Sequence, residues 1–377
     1  MNSQERRELR YQRRKAEREK RRLAILEQYN FDNAIDADNL YQAMKEARKG
    51  VYWKASVQRY NMNFLRNILL THKALQEEQD IRKGFIEFDI VERGKRRHIR
   101  SVHFSERVVQ KSLCSNVLIP HLTRSLIHDN GASVKDKGIH FAIDRLKKHL
   151  RQHFKLHGRD GYVLLIDFKG YFENILHEPM RDIYDRAFGE DKKLVEFAML
   201  FVYAFGEYGL GLGSETSQIN AITYSNANDH HIKEVLRCKH YGRYMDDSYF
   251  ICATKAEAQR ILDVMLERYA ALGIKTSPQK TSIVKLTRGF TFLKTQFSLE
   301  ESGRIVARPS RKSVIRQRRK LKKFKKFLDA GQMSMAEIRC SYMSWRGYIA
   351  HKNARRTIRN MDALFTRLFG ISPMVKF

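Results

Sequence analysis

The chain has 377 residues, enough for two or three compact subdomains, and its 42% hydrophobic content excludes wholesale disorder. Its 72 Lys and Arg stand against 42 Asp and Glu, a net charge of +30 that points to a polyanionic partner. An anionic membrane surface would suit that charge too, but no apolar run approaches the ~20 residues that span a bilayer, so no membrane partner is expected.

Met1 leads into charged residues rather than a signal peptide, and Cys114, Cys238, Cys252 and Cys340 show no Cys-x-x-Cys spacing. Both features suit a reduced, cytoplasmic protein. Residues 5–23 carry ten Lys/Arg and four Glu, a solvated helix or a disordered basic arm with no face to bury. Residues 37–48 place apolar side chains at helical spacing behind Asp and Asn caps. Residues 85–102 alternate, turn at Glu92-Arg93-Gly94-Lys95 and resume, which predicts a β-hairpin with a basic tip. A helix over 105–122 should bury Val108, Val109, Leu113, Val117 and Leu118.

Tyr162-Val-Leu-Leu-Ile166 is an apolar run of strand length that ends on Asp167. Residues 242–251, Gly-Arg-Tyr-Met-Asp-Asp-Ser-Tyr-Phe-Ile, predict a second hairpin with Asp246 and Asp247 at its tip. Adjacent carboxylates repel unless a cation lies between them. With a strand-end Asp nearby they form the oxygen-rich cage in which Mg²⁺ handles phosphates. Asp229 and Glu173 read as surface or capping groups. Beyond residue 300 the chain reads as helical and basic, with twelve Lys/Arg and no acid from Arg304 to Lys326. Val314, Leu321, Phe324, Phe327 and Leu328 supply an intermittent apolar face.

An Asp-Asp dipeptide alone carries little information; its company carries more. Asp167-Phe168-Lys-Gly-Tyr171-Phe172 is followed by Gly211-Leu212-Gly213-Ser214-Glu-Thr-Ser217-Gln218, Tyr244-Met245-Asp246-Asp247, Gln279-Lys280-Thr281 and Gly289-Phe290-Thr-Phe292-Leu293. This order resembles motifs A to E of the reverse-transcriptase palm, across roughly residues 35–300. Asp246 lies 79 residues after Asp167, and Lys280 another 34 further on, as the family pattern requires.

The resemblance implies an α+β, right-hand polymerase fold: fingers and palm of antiparallel sheet and helices, then a helical thumb. The expected partition is a basic arm at 1–34, fingers at 35–160, palm at 161–300 and thumb at 301–377, with the helix before residue 149 packed under the fingers. It implies RNA-directed DNA synthesis by two-metal nucleotidyl transfer, with Mg²⁺ as cofactor and Mn²⁺ able to substitute. Asp167 and Asp246 would be the bridging ligands, Asp247 a weaker one, and the Phe168 carbonyl a backbone contributor. Lys280 would donate a proton to pyrophosphate, its alternative being charge balance.

For the incoming dNTP, position implies Lys95, Arg97 and Arg100 at the triphosphate, Phe172 beneath the sugar and Gln218 near the templating base. Tyr171 reads as core. Gly213 and Ser217 would sit by the template, while Phe290, Phe292 and Leu293 build the hairpin supporting the primer end. Arg318 and Lys322 would grip the duplex of template RNA and cDNA, whereas Trp345 and Tyr348 read as thumb core.

Group II intron and retron enzymes usually place Gly after the motif-B Gln, and here Ile219 follows Gln218. Leu212-Gly-Ser-Glu-Thr-Ser217-Gln218 resembles the form typical of diversity-generating retroelements. That likeness implies error-prone copying of a structured RNA opposite adenine, with a small basic accessory protein. No endonuclease, zinc or RNase H pattern is recognisable. The alternative is a bacterial antiphage-defence enzyme of the abortive-infection type. A third reading is an inactive RNA-binding scaffold, against which the three intact aspartates speak. Oligomeric state is not legible.

Overall fold

The computed structural model describes residues 2–92, 94–189 and 191–375, except for the side chains of Glu92 and Lys95. The predicted finger hairpin is therefore described without Arg93 in its turn, and the triphosphate role expected of Lys95 lies outside the described side chains. The chain's helices include α1 (Ser3–Gln28), α2 (Ala37–Ala47), α3 (Phe104–Leu113), α4 (Ile139–His157), α5 (Glu215–Tyr224), α6 (Arg311–Asp329), α7 (Met335–Ala350) and α8 (Arg355–Phe369). The strands are β1 (Phe85–Glu92), β2 (Lys95–Val102), β3 (Tyr162–Asp167), β4 (Tyr241–Tyr244), β5 (Asp247–Cys252), β6 (Ser282–Lys285), β7 (Phe290–Phe292), β8 (Thr295–Leu299) and β9 (Ile305–Pro309).

Two compact units emerge. The first comprises Met1–Lys135, Phe168–Val235 and Met265–Thr276; the second comprises Asp136–Asp167, Leu236–Val264 and Ser277–Phe377. In the first unit, Asn2 and Glu5 cap α1 reciprocally, and the helix buries no residue, as its lack of an apolar stripe dictates. The Asp36 carboxylate caps α2 by accepting from the Asn39 amide at 3.0 Å. Strands β1 and β2 pair antiparallel from Phe85↔Val102 to Glu92↔Lys95. Helix α3 runs into a π-helical turn at Cys114–Leu118, and the whole predicted stripe (Val108, Val109, Leu113, Val117, Leu118) is buried.

The second unit holds a four-stranded antiparallel sheet in the order β4-β5-β3-β6 and a three-stranded sheet in the order β7-β8-β9. Helix α4, expected under the fingers, belongs to this second unit. Its stripe of Ile143, Leu146 and Leu150 shares one core with Val163, Tyr249 and Ile251 of the palm strands and with Phe292 and Phe297. Those strands offer an apolar face that an amphipathic helix covers at about 25 cal/mol per Å² of buried apolar area. Strand β9 is a second correction, because the basic helix expected beyond residue 300 starts only at Arg311. Ile305–Pro309 pairs with Thr295–Leu299 instead, and Pro309 ends the strand at the sheet edge, where a missing N–H is tolerated. Helices α6, α7 and α8 close a separate core of Leu321, Phe324, Ile338, Tyr342, Met361 and Phe365, against which Val314, Phe327, Leu328 and Trp345 pack.

Candidate active site

Strand β3 ends on Asp167, β5 starts on Asp247, and the antiparallel register sets the two directly opposite each other. Cross-strand neighbours project to the same face, so these carboxylates share one side of the sheet. Between β4 and β5 the chain turns through Met245 and Asp246, with Met245 at φ 54°. So short a hairpin loop needs left-handed backbone, which at a residue bearing a side chain costs about 1–2 kcal/mol. Arg243, 1% exposed, helps to hold the loop by donating from Nη1 to the Met245 carbonyl at 3.2 Å. Nothing in the motif pattern singles out this arginine.

Burial pushes the Asp247 carboxyl up to about 7, and the charges of Asp246 and Asp167 push in the same direction. Hydrogen bonding to Asp167 pushes the Asp247 carboxyl further the same way. Lys280 counters the remaining charge. The Ser277 amide donates to the Asp167 carbonyl at 2.8 Å, and a tight turn then brings the Lys280 amide to the Ser277 carbonyl at 3.1 Å. From there Nζ reaches both Asp167 carboxylate oxygens, at 2.5 and 2.7 Å. Burial disfavours the ammonium, but hydrogen bonding and attraction to Asp167, then to Asp247 and Asp246, outweigh it and raise the Lys280 pKa.

The structure thus brings Asp167, Asp246, Asp247 and Lys280 together. Among the described residues no three Asp, Glu, His or Cys side chains converge as a ready metal cage. The donor set, three aspartates with hard oxygen atoms, nevertheless has the chemistry that Mg²⁺ takes. That same crowding of like charge is what a divalent cation relieves.

Other candidates lie in the first unit. The Phe168 ring is buried against Tyr171 and Tyr269, with centroids 5.0 and 4.8 Å away. Tyr171 is core, its hydroxyl donating to the Ala221 carbonyl at 2.6 Å, while Phe172 stays half-buried on a single 3-10 turn. Helix α5 carries Ser217 inward, its Oγ buried without a partner among the described residues, and Gln218 outward, where Oε1 accepts from Ser133 Oγ at 3.4 Å. Gly213 adopts φ 110°, open only to glycine at low cost. Together with Gln218, Arg107 and Lys111 it lines a cavity of about 370 Å³. Sequence reasoning passed over Arg107 and Lys111, which project from α3 beside its buried stripe. Arg97 is exposed on β2, whereas Arg100 is engaged by Glu87 at 3.1 Å and by the Phe205 carbonyl at 3.1 Å. Asp229 is fully buried, a correction to its surface reading.

In the second unit Phe290 and Phe292 point into the core, so they build their hairpin from within. Leu293, at φ 44°, turns the chain, and its carbonyl accepts from Tyr348 Oη at 3.2 Å. Arg318 and Lys322 lie exposed four residues apart on α6, hence on one face. Cys114, Cys238 and Cys252 are buried free thiols, and Cys340 on α7 is exposed. No helix among the described residues is long and apolar enough to cross a membrane.

A family model described as reverse transcriptase (RNA-dependent DNA polymerase) matches residues 81–297. No curated protein sequence matches the chain. Among solved structures, a C-terminally truncated apo telomerase from Candida tropicalis is 14% identical, with TM-score 0.46 over 59% of this chain and 54% of its own. A Candida albicans telomerase in complex with a TWJ fragment of telomeric RNA is 10% identical, with TM-score 0.48 over 82% and 65%. Another apo telomerase from Candida tropicalis is 15% identical, with TM-score 0.47 over 77% and 60%. The chain therefore spans 54 to 65% of the length of these telomerases.

Proposed function

The chain belongs to the reverse transcriptase (RNA-dependent DNA polymerase) family, whose fold is that of right-hand polymerases, and we propose that it copies a structured RNA template into cDNA from dNTPs. The observation that carries this reading is the carboxylate cluster within the matched region. There Asp167 and Asp247 face each other across β3 and β5, and the Lys280 ammonium bonds the Asp167 carboxylate. Such a cluster is costly for stability alone, because buried like charges raise one another's pKa. It suits a site that receives cations and polyphosphate.

Asp167, Asp246 and Asp247 would hold Mg²⁺, or Mn²⁺ in its place. The two ions would stabilise charge on the attacking and leaving oxygens of the transferred phosphate. The chain's own part is positional and electrostatic. Arg243 fixes the loop that presents Asp246, and Ser277 fixes the turn that presents Lys280. The Lys280 ammonium, its pKa raised, supplies a fixed positive charge and a proton beside the acids.

The motif from Leu212 to Gln218, followed by Ile219, supports a diversity-generating retroelement enzyme acting with a small basic accessory protein in the cytoplasm. Four free cysteines agree with a reducing compartment. Primer extension on an RNA template with Mg²⁺ tests the activity. Wild type should extend, and Asp167→Ala and Asp246→Ala should lose at least ~1000-fold while RNA binding persists. Synthesis retained by either variant removes the metal assignment, and a wild type that never extends leaves only an RNA-binding scaffold. Sequencing the cDNA tests the retroelement reading: errors should concentrate opposite template adenine, and a uniformly low error rate favours antiphage defence.

A further inference from the structure

The second unit contains a cavity of about 810 Å³ that shares no residue with the carboxylate centre. Arg151 of α4, Arg304 and Arg308 at either end of β9, Lys352 after α7, and Arg355 and Arg356 opening α8 all line it. None of these five arginines has a carboxylate within 4 Å among the described residues, and Glu300 is the one acid in the lining. Lys147 also borders the cavity but is bridged to Asp144 at 3.0 Å.

Lys352 is the informative residue. It is 8% exposed, and its buried Nζ finds no hydrogen-bond partner among the described residues. The ammonium sits 3.9 Å from the Tyr348 ring centroid, an interaction that offsets only part of the lost hydration. Burial, reinforced by the charge of Lys147, lowers its pKa to about 8. A buried cation left with unused donors, ringed by unpaired guanidinium groups, is unfavourable on its own. An anion in the cavity would satisfy all of them at once.

We propose that this cavity binds a ligand carrying two or more closely spaced phosphates, a second polyanion site apart from the polymerase centre. Phosphate is the fitting chemistry because it concentrates several charges in a small volume and matches the forked arginine donors. Carboxylates spread the same charge more widely. Ile305 and Ile358 add apolar wall suited to a ribose or base. Such phosphates come from a turn of RNA backbone or from a free oligophosphate.

The test uses the full chain without Mg²⁺, titrated with sodium tripolyphosphate by calorimetry and, separately, with a fluorescein-labelled single-stranded RNA by anisotropy. Lys352→Met removes the buried ammonium, and Arg355→Glu with Arg356→Glu reverses two exposed charges, so that one variant remains informative should the other misfold. Circular dichroism and primer extension on a short template should match wild type. Tripolyphosphate should bind wild type, and both variants should lose at least ~10-fold in affinity. If RNA is the source, tripolyphosphate competes with RNA and the double variant loses RNA affinity by a similar factor. If a free oligophosphate is the source, RNA affinity stays unchanged while the tripolyphosphate loss remains. No tripolyphosphate binding, or equal binding by wild type and both variants, overturns the proposal.

Discussion

Gly242 lies on β4 opposite Tyr249 of β5, in the hairpin that carries Asp246 and Asp247. A methyl group at this position would meet Tyr249 Oη at 2.7 Å and the ring carbons Cε1 and Cζ at 2.8 Å. The ring has nowhere to go. It is 1% exposed, its hydroxyl is hydrogen-bonded to His149 Nδ1 at 2.9 Å, and Phe292 meets it edge-on with centroids 5.1 Å apart. Overpacking of this kind costs about 1–3 kcal/mol. Losing the buried hydrogen bond to His149 adds about 1 kcal/mol. Gly242→Ala should therefore destabilise the chain by about 2–4 kcal/mol and, by shifting the hairpin, depress primer extension. Urea denaturation of Gly242→Ala, Tyr249→Val and the double variant forms a cycle. Tyr249→Val alone should cost about 2–4 kcal/mol for its cavity. The double variant should be more stable than the sum by about 1 kcal/mol or more, because one change vacates the space the other needs. Additive effects, or a Gly242→Ala variant as stable as wild type, would refute the steric argument.

If half-buried Phe172 lies beneath the sugar of the incoming nucleotide, Phe172→Ala should admit ribonucleotides; the ratio of rNTP to dNTP incorporation measures it, and an unchanged ratio in an active variant makes Phe172 structural only. Reversing charge at Arg316, Arg318, Arg319, Lys322 and Lys323 of α6 should weaken RNA binding and flatten its salt dependence by about 0.7–0.9 log units per lost phosphate contact. Five residues over two turns cannot share one face, so the slope should change by fewer than five contacts. An unchanged slope would assign α6 to protein docking.

The acids were legible because a continuous apolar run ends on Asp167 and strand-favouring residues bracket Asp246-Asp247. The α3 stripe was legible from its spacing. Arg243 was not, because an arginine on a strand reads as solvated until the fold shows its side chain buried beneath the Met245 turn. Lys280 was found by motif, yet its contact with Asp167 spans 113 residues of sequence, beyond any periodicity. Strand β9 was missed because Arg304 and Arg308 blended with the basic run that follows, hiding five strand residues behind a charge count. Asp229 illustrates the opposite case: it reads as a surface or capping group, and the fold buries it fully near a helix end.

The four thiols differ in a way that serves experiment. Burial lifts the Cys114 pKa well above the usual thiol value; at Cys252 hydrogen bonding to Cys238 and burial act together in the same direction. Only thiolate reacts readily with a maleimide, so these sites should resist labelling at neutral pH. Cys340 stands exposed on α7, near the basic helix α6, where Lys320 donates to the neighbouring Ser341 hydroxyl at 2.8 Å. A single dye placed there needs no engineered cysteine and leaves the core untouched. It makes the native chain its own reporter of whether the carboxy-terminal helices engage nucleic acid.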